Sequence, residues 1–194
     1  MLSLNKWKYQ AGAALLAAAF AAPSACAADP VLSIVATPSS GVVGSTIELD
    51  IRLSGVADLY GYNFSLVFNP AYLQATGAGE GGLLGSDGGA TDFGVADVSG
   101  TPGLVTYVYG SKFGPVPGVS GSGSLAHLSF NVIGAGTSTL SFTDTVFLNS
   151  SLGDITPQLG TQTLVTTAVP EPQTYLMLGV GLIGLAALRR RQVG

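Results

Sequence analysis

Ile47-Glu48-Leu49-Asp50-Ile51-Arg52-Leu53 sets four aliphatic residues in strict alternation with three charged ones. Successive side chains of an extended strand point to opposite faces, so this period of two specifies a strand with one packed and one wet face. Tyr60-Gly61-Tyr62-Asn63-Phe64-Ser65-Leu66-Val67-Phe68 repeats the pattern, with Tyr60, Tyr62, Phe64, Leu66 and Phe68 on one side. Gly55 is expected to end the first strand and Asn69-Pro70 the second.

Working outward, further strands are expected at 32–36, 72–75, 91–97, 104–109, 124–132, 138–142, 145–148 and 162–166, none with a helical period. Gly81 to Gly89 and Gly114 to Gly123 read as mobile loops, the second stiffened by Pro115 and Pro117. Short strands separated by Gly, Ser, Asn, Asp and Pro indicate an all-β, two-sheet antiparallel sandwich, because a parallel α/β sheet needs amphipathic crossover helices. In Ala126-His127-Leu128-Ser129-Phe130-Asn131-Val132 the apolar residues take the even positions, which turns His127 away from the core.

The two ends differ from this body. Lys6 and Lys8 precede an apolar run from Ala11 to Ala22, and Ala25-Cys26-Ala27 offers small residues for signal peptidase. Residues 1–28 therefore read as a signal peptide cut before Ala28 or Asp29. Lipidation of Cys26 is the competing reading, opposed by Pro23. At the other end Val169-Pro170-Glu171-Pro172-Gln173 leads into an apolar helix expected over 174–188, closed by Arg189-Arg190-Arg191. The prolines enforce an extended, protease-accessible junction. The helix is shorter than the roughly 20 residues that span a bilayer comfortably, and the arginines would fix its cytoplasmic side.

The segment between, 29–168, is the size of one domain. It holds only Arg52 and Lys112 against ten acids, a net charge of −8 where the whole chain has −4. So acidic a body is repelled by phosphate backbones, which excludes nucleic acid as an expected partner. Its lack of cysteine excludes a thiol nucleophile, a disulfide framework and a cysteine-based zinc site.

Pro170-Glu171-Pro172, the short apolar run and the arginine cluster closely resemble the PEP-CTERM sorting signal of Gram-negative bacteria. The resemblance implies export, an inner-membrane intermediate, cleavage near the tripeptide by an exosortase, and a final place at the cell surface or outside the cell, often beside polysaccharide. A permanent single-span anchor is the alternative. The body resembles a second family. Gly44 with the 47–53 strand, Ser54-Gly55-Val56-Ala57-Asp58-Leu59-Tyr60-Gly61, Phe64 to Pro70 and Leu73 look like the opening of a cohesin domain. Gly123 to Val132 followed by Gly134-Ala135-Gly136 looks like its penultimate core strand. This implies a jelly-roll of about nine strands, related to carbohydrate-binding modules, whose flat sheet face binds a dockerin partner.

Chemistry is sparse. His127 is the only histidine and lies on a wet strand face. Glu48 and Asp50 share a strand face and are the carboxylate pair that a secreted carbohydrate-active enzyme would need. Asp87, Asp92 and Asp97 are the oxygen donors available to Ca²⁺, without the spacing of a known loop; no other cofactor is expected. Tyr107 and Tyr109 share one side of a strand. If that side is wet they form an aromatic strip for a sugar or a protein partner; the half-buried habit of tyrosine favours core. The leading expectation is an exported, non-catalytic adhesion module for a protein module or polysaccharide, the others being the enzyme and a structural biofilm component.

Overall fold

The computed structural model describes residues 29–169, 179–180 and 182–183. The expected signal peptide and the sorting residues Pro170, Glu171, Pro172, Arg189, Arg190 and Arg191 lie outside them. Of the expected 174–188 helix, Gly179, Val180, Leu182 and Ile183 are described and are helical. Among the described residues no helix is long and apolar enough to cross a membrane.

The described residues form ten strands in chain order: β1 Val31–Thr37, β2 Ser40–Val42, β3 Thr46–Val67, β4 Leu73–Glu80, β5 Thr91–Asp97, β6 Leu104–Lys112, β7 Val119–Val132, β8 Gly136–Asn149, β9 Gln158–Leu159 and β10 Gln162–Thr167. The organising element is β3. Its first half pairs antiparallel with β1 and β7, building the layer β9-β1-β3-β7-β4. Its second half pairs with β6 and β8, building β5-β6-β3-β8-β10-β2. One strand thus serves two sheets, and the layers close on each other as a jelly-roll-like sandwich. Pairing is antiparallel except where β9 joins β1 and β2 joins β10, both parallel.

Gly55 does not end a strand. The ladder to β7 slips between Leu53 and Val56 and again between Val56 and Leu59, where Gly55 (φ 69°) and Asp58 (φ 58°) take left-handed conformations. These bulges turn β3 from one sheet into the other without breaking it. Likewise the strands expected at 138–142 and 145–148 are one strand, β8, with Asp144 (φ 50°) within it.

The alternation expected for 47–53 is realised: Ile47, Leu49, Ile51 and Leu53 are fully buried. From the opposite layer come Tyr62, Phe64, Leu66 and Phe68, all buried, while Tyr60 stays half-buried and donates its hydroxyl to the Gly114 carbonyl (2.6 Å). Phe68 meets Phe130 of β7 edge-on at 5.0 Å, and the buried Tyr62 hydroxyl donates across the core to the Leu125 carbonyl (2.6 Å). The 81–89 segment is more than a surface loop. Leu83 and Leu84 plug the core, and Asp87 pairs with the buried Lys112 ammonium.

Candidate binding face

The two outer faces of the sandwich are chemically unlike. On the β1-β3-β7 layer the polar side chains engage one another, apart from Asp50 Oδ1, which is buried without a hydrogen-bond partner. Ser129 donates to Glu48 (2.8 Å), Arg52 pairs with Asp50 (2.9 Å), and His127 Nδ1 stands 3.8 Å from Asp50 with Nε2 3.4 Å from Ser124 Oγ. His127 is exposed, as expected. Glu48 and Asp50 sit side by side on this open face and are engaged by neighbours, not opposed across a cleft as cleavage of a sugar chain requires.

The outer face of β5-β6-β3-β8 is apolar and aromatic at its centre. Register places Gly94, Tyr109, Asn63 and Val146 in one row across four strands, with Leu104 and Val67 paired further along. Tyr107 is 49% exposed, Val146 43% and Val67 39%, while Tyr109 is half-buried. The core placement favoured for Tyr107 and Tyr109 is therefore corrected. Strict alternation put them on the side of Val105, which is fully buried, but β6 carries a bulge at Tyr107 (φ 54°), whose amide donates to Ser65 Oγ (3.1 Å). The extra residue lets Val105 and Val108 both point inward and leaves both tyrosines outside.

The tyrosine rings lie 6.1 Å apart and are tilted by 51°. Gly94 makes room for Tyr109: a Cβ there would stand 2.6 Å from the Tyr109 hydroxyl oxygen. Asn63, which composition gave no reason to single out, donates to the Asp144 carbonyl (2.9 Å) and ties the bulge of β8 to the row.

Asp87, Asp92 and Asp97 do not converge. Asp87 is held by Lys112 and by the Gly89 amide, which set its carboxyl below the usual range. Asp97 accepts from the Gly100 amide (2.7 Å), the Ser99 amide (3.1 Å) and the Thr101 hydroxyl (3.2 Å), and the Gly100 bond first of all lowers its carboxyl too. Asp92 is exposed, opposite Ser111. Among the described residues no group of three His, Cys, Asp or Glu side chains is placed to hold a metal ion.

At the β3 turn, Asp58 accepts from the Gly118 amide (2.8 Å), the Ser150 hydroxyl (2.7 Å) and the Ser150 amide (3.2 Å). Three segments distant in sequence are clasped there, and the Ser150 hydroxyl followed by the Gly118 amide lowers its carboxyl.

No curated relative matches this chain. Among solved structures, a type II cohesin domain from the cellulosome of Acetivibrio cellulolyticus superposes with TM-score 0.58 at 18% identity, covering 71% of this chain and 95% of that one. A non-cellulosomal cohesin from the hyperthermophilic archaeon Archaeoglobus fulgidus gives 0.53 at 14%, covering 77% and 98%. A type I cohesin–dockerin complex from Clostridium thermocellum gives 0.56 at 15%, covering 73% and 97%. Residues 168–191 match the PEP-CTERM protein-sorting motif. Residues 32–166 match the cohesin domain model, and with most of its length in that match the chain belongs to the cohesin family.

Proposed function

We propose that this is an exported, non-catalytic docking module that binds a folded protein partner on the outer face of β5-β6-β3-β8. The observation that carries the proposal is the pair of outward tyrosines: Tyr107 and Tyr109 stand with Val67 and Val146 on one face, while the other face carries charged and polar groups beside Val31 and Val35 and, among the described residues, no aromatic ring but that of His127. Exposed aromatic and aliphatic groups on a rigid sheet supply the desolvated centre that an interface requires. A dockerin is the leading class of partner, since cohesin domains of this fold include one solved in a cohesin–dockerin complex. Polysaccharide is the second reading and rests on the tyrosine pair, but rings tilted by 51° offer no flat platform across neighbouring sugar units.

Titration calorimetry against a panel of purified dockerin modules and retardation on polysaccharide gels test this. Tyr107→Ala is expected to weaken protein binding at least tenfold, about 1.4 kcal/mol, with the melting temperature unchanged. Full binding by Tyr107→Ala and by Val146→Asp would place the site elsewhere.

The sorting motif supports export, passage through an inner-membrane intermediate and exosortase cleavage near Pro170-Glu171-Pro172. Intact-mass analysis in a Gram-negative host is expected to show loss of a C-terminal fragment in the wild type and its retention in Glu171→Ala. Retention in both would leave a permanent anchor.

A further inference from the structure

The strand that closes the fold lies almost on top of the sorting tag. β10 runs to Thr167, whose carbonyl accepts from the Val43 amide (2.9 Å), while the sorting match begins at residue 168. From Val169 to Thr174, where the apolar run starts, there are five chain steps, about 18 Å at full extension. No further spacer separates domain from tag, so this end of the sandwich is kept within about 18 Å of the start of the apolar run whenever the tag is in the bilayer.

Five segments meet at that end. Gly44 and Ser45 bond to Val132; Ile133 and Gly134 donate to the Tyr72 carbonyl; Asn69 donates its amide to Ser138; Phe68 donates its amide to Gly103; and the Thr166 hydroxyl bonds to Gly134 and Gly136. The stretches involved, 38–45, 68–72, 98–103, 133–136 and 168–169, contain no Asp, Glu, Lys or Arg. They expose Val42, Ile133 (49%) and Val169 (57%). The domain's acidity is concentrated elsewhere. Register and hydrogen bonding put Asp29, Asp58, Asp87, Asp92 and Asp154 at the opposite end, whereas Asp97, engaged by its own turn, and Glu48, opposite Thr37 and bonded to Ser129, border the uncharged one. A body of net charge −8 is repelled by anionic headgroups over a Debye length of about 8 Å. An end whose loops lack carboxylates and carry separated aliphatic side chains is suited to lipid contact where the tag brings it near, whereas the exposed Phe113 (60%) and Leu152 (68%) of the opposite end stand among Asp58, Asp87 and Asp154.

We infer that this uncharged end rests on the lipid surface while the tag holds the chain, standing the sandwich upright with the Asp58 clasp outermost. The inference rests on the reading that the apolar run following Val169 enters the bilayer. The chain from Ala28 to Gly194, which lacks the expected signal peptide and has no cysteine of its own, carrying either Ile133→Cys or Ser151→Cys and labelled with an environment-sensitive fluorophore, is incorporated into phosphatidylethanolamine–phosphatidylglycerol vesicles containing nitroxide lipids. Ala135→Cys repeats the measurement on the same loop without removing an apolar side chain. The expected result is blue-shifted, strongly quenched emission at 133 and 135 and water-like, unquenched emission at 151. Water-like emission at all three positions in a chain that sediments with the vesicles overturns the inference and leaves the tag reading intact. A chain that stays in the supernatant refutes the tag reading, and this inference with it.

Discussion

Tyr62→Phe isolates one hydrogen bond that joins the two sheets, and its effect can be worked out in both sign and size. The ring is buried between Phe64 and Phe147, with centroids 6.1 and 6.3 Å away, and Gly110 gives it space, since a Cβ there would stand 2.6 Å from the ring. Phenylalanine preserves that packing and removes only the hydroxyl. The Leu125 carbonyl loses its 2.6 Å donor but keeps the Gly81 amide at 2.9 Å, so no buried acceptor is orphaned. The loss is therefore that of one neutral hydrogen bond, about 1 kcal/mol, or roughly 3–5 °C in melting temperature for a domain of this size. Alkaline pH reverses the order. Burial, helped by the charge of Glu80, pushes the Tyr62 phenol well above its ordinary value near 10. The unfolded phenol ionises first, and wild-type stability falls as pH rises past that value. At pH 11 ionisation stabilises the unfolded wild type by about 1.4 kcal/mol, a term the variant lacks. The wild-type advantage of about 1 kcal/mol at pH 7 thus becomes a deficit of about 0.4 kcal/mol at pH 11. Urea unfolding of both proteins at the two pH values reads this directly. A gap that is unchanged or wider at pH 11 would refute the reasoning, as would a loss above about 3 kcal/mol at pH 7, which would mean that the packing had changed.

Other substitutions probe the remaining polar anchors. Asp58→Ala removes the acceptor for Gly118 and Ser150 and is expected to lower the melting temperature at pH 7. Because the folded carboxyl titrates below its usual value, that contribution is present above about pH 4 and fades as pH falls through the folded value, so melting curves of the two proteins should converge in acid. The side chain of Lys112 is only 1% exposed, so Asp87→Ala strands a buried ammonium, whereas Lys112→Met replaces it with an apolar chain of similar length. Chemical denaturation should find Asp87→Ala the more damaging of the two, and the opposite order would show that the ion pair does not hold the 81–89 segment. Gly94→Ala forces the Tyr109 ring aside and is expected to weaken partner binding in calorimetry while leaving the core strands protected in hydrogen exchange.

The packed strands were legible because alternation is a direct imprint of burial: Ile47 to Leu53, and Leu128 with Phe130 and Val132, lie where their period puts them. The sandwich class followed from strand spacing and turn chemistry alone. What period and punctuation do not encode is a bulge. Gly55 reads as a stop, yet a left-handed residue inside a strand serves equally well to bend it, and only the partners on both sides of β3 decide between the two. Tyr107 shows the same gap more sharply, because a tyrosine in the left-handed region carries no local signal. Its bulge moved two aromatic side chains from the expected core to the surface that now carries the functional proposal. The acidic triplet was misleading for a different reason: along β5 and the loop before it, proximity in sequence separates side chains in space, so that Asp87 and Asp97 found amides or an ammonium of their own while Asp92 stays exposed.

The position of β10 also has a mechanical consequence. It lies between β8 and β2, bonded to β8 over 162–166 and to β2 over 165–167, and the sorting tag continues from its end. Ladder hydrogen bonds run across the strands, so a pull transmitted from the tag along the axis of β10 loads all of them together in shear, not one after another like a zipper. The sandwich therefore resists extraction most strongly along the line on which a tether to the envelope would pull against a partner held on the opposite end or face.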